Sequence, residues 1–161
     1  MRGGCRYTAR MTDSPASLPV PGPLDAQLCF SLYAANLAMH KTYRGLLAEL
    51  GLTYPQYLVM LVLWQQDGLT VSQLGAQLRL DSATLTPLLK RLASAGLLVR
   101  ERGVADERQV VIRLTDAGRA LRAPAGRVAH GIACAVGCSR DEADALRTQL
   151  DALRHRLDGE G

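Results

Sequence analysis

Apolar residues recur at helical spacing along most of this chain and alternate in only one short stretch. Leu24, Leu28, Leu32, Ala35, Met39, Tyr43 and Leu46 form one stripe with the period of an α-helix. The stripe predicts a helix from about Leu24 to Ala48, with Pro23 ahead of it and Asp25 at its electropositive end. The segment GLTYPQ, residues 51–56, interrupts the pattern and restarts it. Thr53 can cap there, and Pro55 falls in a first turn, where its missing N–H does no harm. The following YLVMLVLWQQ is apolar nearly all round, which predicts a buried central helix that Gly68 ends.

Shorter elements come next. Thr70 is the cap of a helix ending near Leu78, Asp81 the cap of another running to about Ala95, and Gly96 its stop. Two short helices about a tight turn make a helix-turn-helix pattern. The second helix opens on small polar residues, Ser82, Thr84 and Thr86, and sets Leu85, Leu88, Leu89 and Leu92 behind them. In this motif the first residues of the second helix face base edges. Lys90 and Arg91, one to two turns on, are placed for phosphates. Pro87 is only about a turn from the helix start, which limits its cost. LLVRERGVADERQVVIRLT, residues 97–115, then predicts a β-hairpin: LLVRE out, GVADE as the turn, RQVVIRLT back. Its tip is charged, with Arg100, Arg102, Asp106, Glu107 and Arg108. A hairpin so placed is a wing, and an arginine on it can enter a narrow minor groove.

Thr115 caps a further helix through DAGRALRAPAGRVAHGIACAV, residues 116–136, with an interruption expected at Pro124 and Gly126. Ser139 and Glu142 have capping-box spacing and open a last helix, with Leu146, Leu150, Leu153 and Leu157 on one side. Apolar-striped helices at both ends of the chain predict dimerisation through those ends. The expected fold is therefore mainly α with a small β wing. A disordered tail covers 1–23, helical dimerisation regions cover 24–50 and 116–158, and a winged helix-turn-helix DNA-binding domain covers 51–115.

Charge sharpens this picture. The net charge is only +4, but residues 79–127 hold ten basic and five acidic side chains. A basic middle segment suits a phosphate-binding surface. No apolar run approaches the roughly 20 residues that span a bilayer. The first residues are basic without the continuous apolar stretch of an export signal, and Met11 is an alternative start. A cytoplasmic, reducing location without membrane contact is expected, where Cys5, Cys29, Cys134 and Cys138 rest as thiols. One pair with three residues between and two distant single cysteines do not suit zinc, so no metal or cofactor is expected. His40, His130 and His155 are isolated and receive no role. Cys29 admits two readings: a packed small hydrophobe, or a reactive thiolate near a helix start.

DSATLTPLLKRLASAGLL and DERQVVIRLTDAG resemble the recognition helix and wing of the MarR family of winged-helix repressors. LDAQLCFSLYAANLAMHKTYRGLLAELGLTYPQYLVMLVLW is similar to its OhrR group, the organic hydroperoxide sensors. The resemblance covers about Leu24 to Asp158. It implies that Cys29 is the peroxide sensor, oxidised to a sulfenic acid. It also implies that two tyrosines of the partner subunit, at the positions of Tyr43 and Tyr54, support the thiolate; Tyr33 is a third possible contact. ACAVGC is similar to the two-cysteine type, in which a second cysteine closes an intersubunit disulfide. Position favours Cys134 as that resolving residue, with Cys138 second; if the helix continued, the two would share one face.

The resemblance thus implies a redox-sensing repressor, not an enzyme. Its partners would be a double-stranded DNA operator, a second copy of the chain, and an organic hydroperoxide as oxidant. Two other readings compete: a MarR-type repressor controlled by a small phenolic ligand with Cys29 merely packed, and a thiol peroxidase turning over on Cys29. The chain contains no CxxC pair to support the last.

Overall fold

The computed structural model describes residues 22–103 and 108–159. The tail expected over 1–23 lies outside the described residues as far as Pro21, and so do Asp106 and Glu107 of the wing. The chain divides into two units, residues 1–35 and 36–161.

In the first unit the expected helix start is displaced. Leu24–Ala26 form a single 3-10 turn, and Gln27 is extended at ψ 121°. Helix α1, Leu28–Leu47, begins only after it and continues into the second unit. Of the apolar stripe, Leu24 and Leu28 in this unit are each more than half exposed and Leu32 is half-buried.

In the second unit a 3-10 turn, Ala48–Leu50, follows α1 and stops at Gly51 in the left-handed region. Helix α2, Tyr54–Gln65, starts as expected at Thr53. The Gln56 side-chain oxygen accepts from the Thr53 backbone N–H at 2.8 Å and from its hydroxyl at 3.0 Å. Apolar on most sides, α2 buries Tyr57, Val59, Met60, Leu63 and Trp64. Helices α3, Val71–Leu78, and α4, Ser82–Ser94, form the helix-turn-helix. Arg79 closes α3 in the left-handed region, with φ 54°. Leu74 from α3 and Leu85, Leu89 and Leu92 from α4 are fully buried against α2.

The wing has three strands rather than two. Strands β2, Leu98–Arg102, and β3, Val110–Leu114, pair antiparallel as the hairpin predicts. A third strand, β1, Leu69–Thr70, adds to the free edge of β3, with Leu69 opposite Ile112 and Thr70 opposite Val111. Two residues carry no visible alternation, and their partner is some forty positions away, so β1 has no local signature. The base of the wing is bonded to the segment that follows α2 and to the next helix, α5, Asp116–Ala120. Asp67 Oδ1 accepts from the Leu114 and Gly68 N–H groups, both at 2.9 Å, and Asp67 Oδ2 pairs with Arg119 at 3.3 Å. The buried indole N–H of Trp64 donates to the Gly118 carbonyl at 2.9 Å.

The expected interruption at Pro124 and Gly126 is corrected: the chain breaks one turn earlier, at Leu121. Pro124 can donate no bond to the Ala120 carbonyl, and its ring crowds that same group, so the fault falls upstream of the proline. Helix α6, Arg122–Val136, then carries Pro124 harmlessly in its first turn. It passes close to α1 at Gly131, where a Cβ would lie 2.6 Å from Leu46 Cδ2. Gly137, φ 66°, ends α6. Helix α7, Arg140–Leu157, opens with the predicted Ser139–Glu142 capping box and buries no residue; Leu146, Leu150 and Leu157 are exposed. Among the described residues no single helix is long and apolar enough to cross a membrane.

Gly118 is the tightest point of the unit. A Cβ there would sit 2.0 Å from the Leu97 carbonyl oxygen, which belongs to backbone and cannot swing aside. Gly118→Ala is expected to cost about 2–3 kcal/mol. Gly126→Ala, where a Cβ meets nothing within 4 Å, should gain up to about 1 kcal/mol. Urea denaturation at one protein concentration measures both; equal midpoints for the two variants would contradict the close approach.

Candidate nucleic-acid interface and thiol site

The polar start of α4 is built by its own cap. Asp81 Oδ1 accepts from the Thr84 backbone N–H at 2.7 Å. That bond, then one from the Thr84 hydroxyl, then one from the Ala83 N–H, hold the Asp81 carboxyl below its ordinary 3.8, against a small opposing effect of burial. Thr86 donates its hydroxyl to the Ser82 carbonyl at 2.7 Å. Both threonine protons are thus used within the first turns, and the oxygens and methyl groups remain to meet a ligand. With the leucines turned inward, Ser82, Thr84, Lys90 and Arg91 are exposed and Thr86 is half-buried.

Pairing of β1 with β3 brings the start of α3 beside the wing. A cleft results, lined by Thr70, Ser72, Thr86, Arg100, Arg108 and Gln109 among others. Ser72, Gln109 and Arg100 join the predicted Thr86 and Arg108 only through this pairing. The sequence placed Arg100 at the wing tip; it lies in mid-strand, opposite Ile112. Arg102 is exposed at the end of β2. Other arginines of the basic segment have structural partners: Arg113 pairs with Glu101 at 3.1 Å and Arg127 with Glu49 at 3.2 Å. The predicted wing contact Asp106 lies outside the described residues.

Cys29 occupies the first turn of α1 and is exposed, as are Cys134 and Cys138; all three are free thiols. In its unit, Tyr33 stands near Phe30, ring centroids 6.4 Å apart. In the other unit, Tyr43 and Tyr54 stack at 4.3 Å, although ten residues and a helix break separate them. His40 meets Tyr54 edge-on at 5.1 Å, Tyr57 lies 6.1 Å from Tyr43, and Trp64 lies 6.1 Å from Tyr57. Burial pushes the Tyr43, Tyr54 and Tyr57 phenols above 10.0; neighbouring phenols add to this for Tyr43 and Tyr57. They are therefore neutral O–H donors near neutral pH. Sequence reasoning did not include His40, Tyr57 and Trp64 in this cluster, because each had a sufficient explanation as a surface or core side chain.

Cys134 and Cys138 do not share a helix face, which corrects the conditional expectation. Left-handed Gly137 ends α6 between them. Cys134 instead has His130 one turn behind it, Nε2 to Sγ 3.6 Å. Among the described residues no three histidine, cysteine or acidic side chains gather as a metal site.

Comparison with known proteins gives consistent findings. Residues 41–123 match the sequence family described as Transcriptional regulator SarA/Rot. The HTH-type transcriptional regulator TtmR of Methylorubrum extorquens (strain PA1) is 50% identical over 85% of this chain and 70% of its own length. The organic hydroperoxide resistance transcriptional regulator of Bacillus subtilis (strain 168) is 45% identical over 81% of this chain and 86% of its own. Among solved structures, AbfR of Staphylococcus epidermidis is similar in its reduced, DNA-bound form: 37% identity, 83% of this chain and 94% of that chain, TM-score 0.70. Against the disulfide-formed AbfR the TM-score is 0.59, at 37% identity, with 84% of this chain and 90% of that chain covered.

The Asp81 cap carries a pH dependence. Its folded value is depressed, so its contribution is complete above the ordinary carboxylate range and is lost as pH falls through the depressed value. Carboxyl carbon NMR should give an Asp81 midpoint below 3.8, with the Thr84 amide shift moving in step. Asp81→Asn caps without titrating and should keep the start of α4 ordered in acid. A midpoint at or above 3.8 contradicts the cap.

Proposed function

The chain belongs to the MarR family of winged-helix transcriptional regulators, and we propose that within it this protein is a redox-sensing repressor. Two copies join through the exposed apolar stripes of α1 and α7. Each presents α4 to a major groove of an operator and its wing to the flanking minor groove. Ser82, Thr84 and Thr86 meet base edges, the threonines as acceptors and methyl contacts. Lys90, Arg91, Arg102 and Arg108 neutralise phosphates or enter the minor groove, and Asp106 takes part at the wing tip. The protein works in the cytoplasm, where its thiols rest reduced.

An organic hydroperoxide supplies the signal. The Cys29 thiolate attacks the O–O bond, an alcohol leaves, and a sulfenic acid remains. Hydroxyl groups of Tyr43 and Tyr54 from the partner support the thiolate, with Tyr33 as a third contact. The sulfenic acid condenses with Cys134 across the dimer, and the two recognition helices lose their register with successive grooves. Each 1.4 kcal/mol of differential binding is tenfold, so a few such steps empty an operator.

The observation that carries this reading is the free Cys29 thiol in the first turn of α1, on the helix through which the two copies are proposed to join. The named function of the Bacillus subtilis relative supports it.

A gel shift on the protein's own upstream DNA tests it, with reduced, peroxide-treated and dithiothreitol-restored protein beside a non-reducing gel. Binding should vanish on oxidation with a dimer-sized band and return with reductant, and Cys29→Ser should stay bound throughout. Cys29→Ser protein that still releases DNA on peroxide would sink the redox account. If peroxide leaves wild-type binding untouched, a small-molecule-controlled repressor takes its place.

The DNA contacts have a separate test. Lys90→Ala removes two phosphate contacts per dimer, so the slope of log affinity against log salt should fall by about 2. An unchanged slope removes Lys90 from the interface.

A further inference from the structure

His130 was isolated in sequence but is not isolated in space. On α6 it lies four residues before Cys134, the spacing that puts two side chains on one helix face. Its Nε2 is 3.6 Å from the Cys134 Sγ, within reach of a hydrogen bond to sulfur. Both side chains are exposed, so neither contact is forced by packing. Cys134 also sits in the last turn of α6, two residues from its end at Val136. A helix C-terminus carries partial negative charge, which opposes a thiolate and favours a cation. A sulfur that must attack as a thiolate from such a place needs a proton acceptor beside it.

We propose, resting on the redox reading above, that His130 is the proton acceptor that makes Cys134 the resolving thiol. The Cys134 thiol gives its proton to His130 Nε2, and its sulfur electron pair attacks the sulfur of the Cys29 sulfenic acid. The S–S bond forms as the S–O bond breaks, with the electron pair leaving on oxygen. The imidazolium returns the proton to that oxygen, and one water departs. The oxidising equivalent is the organic hydroperoxide consumed one step earlier. The same geometry separates the two candidate resolving residues. Cys138 follows left-handed Gly137 and lies outside α6, so the helical spacing that joins His130 to Cys134 does not extend to it.

The test separates the two oxidation steps in the intact dimer. Wild type, His130→Ala and His130→Gln are treated with tert-butyl hydroperoxide. Cys29 sulfenic acid is followed as its dimedone adduct by mass spectrometry, and disulfide closure by acid-quenched non-reducing gels. Sulfenic acid should form at the same rate in all three. Closure should slow by about tenfold or more in both variants. Free imidazole should restore it in His130→Ala, an effect that loss of a merely structural side chain would not give. Circular dichroism melts check that the exposed substitution leaves the fold unchanged. Both variants closing at the wild-type rate, or no response of His130→Ala to imidazole, overturns the role of His130 alone. Wild-type protein that forms no disulfide overturns the redox reading and this role together.

Discussion

The DNA-facing side of this protein depends on how the base of its wing is held. A two-stranded hairpin has little core of its own and is marginal in water. Here it is fastened at three points. The added strand β1 pairs with β3, Asp67 accepts from the end of β3, and Gly118 lets the first turn of α5 close onto the Leu97 carbonyl. Thr115 strengthens the last point, donating its hydroxyl to Gly96 at 2.7 Å and accepting from the Gly118 N–H at 3.0 Å. The base of the wing is therefore tied both to the segment before α3 and to the first turn of α5.

The wing base also connects toward the tyrosines. The stacked pair Tyr43–Tyr54 touches Tyr57, Tyr57 faces Trp64, and Trp64 donates to the Gly118 carbonyl at the wing base. Packed interiors are close to crystalline density and transmit displacement rather than absorb it. A row of aromatic neighbours thus runs from the phenols to the segment that fastens the wing. The apolar faces of α1 and α7, by contrast, bury almost nothing within the chain. Helices of that length and pattern draw stability from a partner surface.

Cationic side chains divide into two groups that composition cannot distinguish. Arg113, Arg119 and Arg127 are engaged with Glu101, Asp67 and Glu49, while Lys90 and Arg91 of α4 and Arg100 and Arg102 of β2 are exposed. The local excess of positive charge could not say which arginines are held in ion pairs and which are exposed. Among the cysteines, position in the family pattern favoured Cys134 over Cys138, and one left-handed glycine sets Cys138 outside α6.

What the sequence determined by itself was local. Helical periodicity, the caps at Thr53, Thr70, Asp81, Thr115 and Ser139, and the stop at Gly96 act within a few residues, so they were legible in order along the chain. The helix-turn-helix, the hairpin and the exposed polar start of α4 followed from them. Tertiary structure decided whatever joins distant positions. The β1–β3 pairing, the Tyr43–Tyr54 stack, the Trp64 bond to Gly118 and the ion pairs of the spare arginines depend on which surfaces the core leucines bring together. Non-local contacts of this kind form only after packing has fixed the elements, so no short window of residues encodes them. The fault at Leu121 belongs with them in part: Pro124 announced a break, and its clash with the preceding turn set the place.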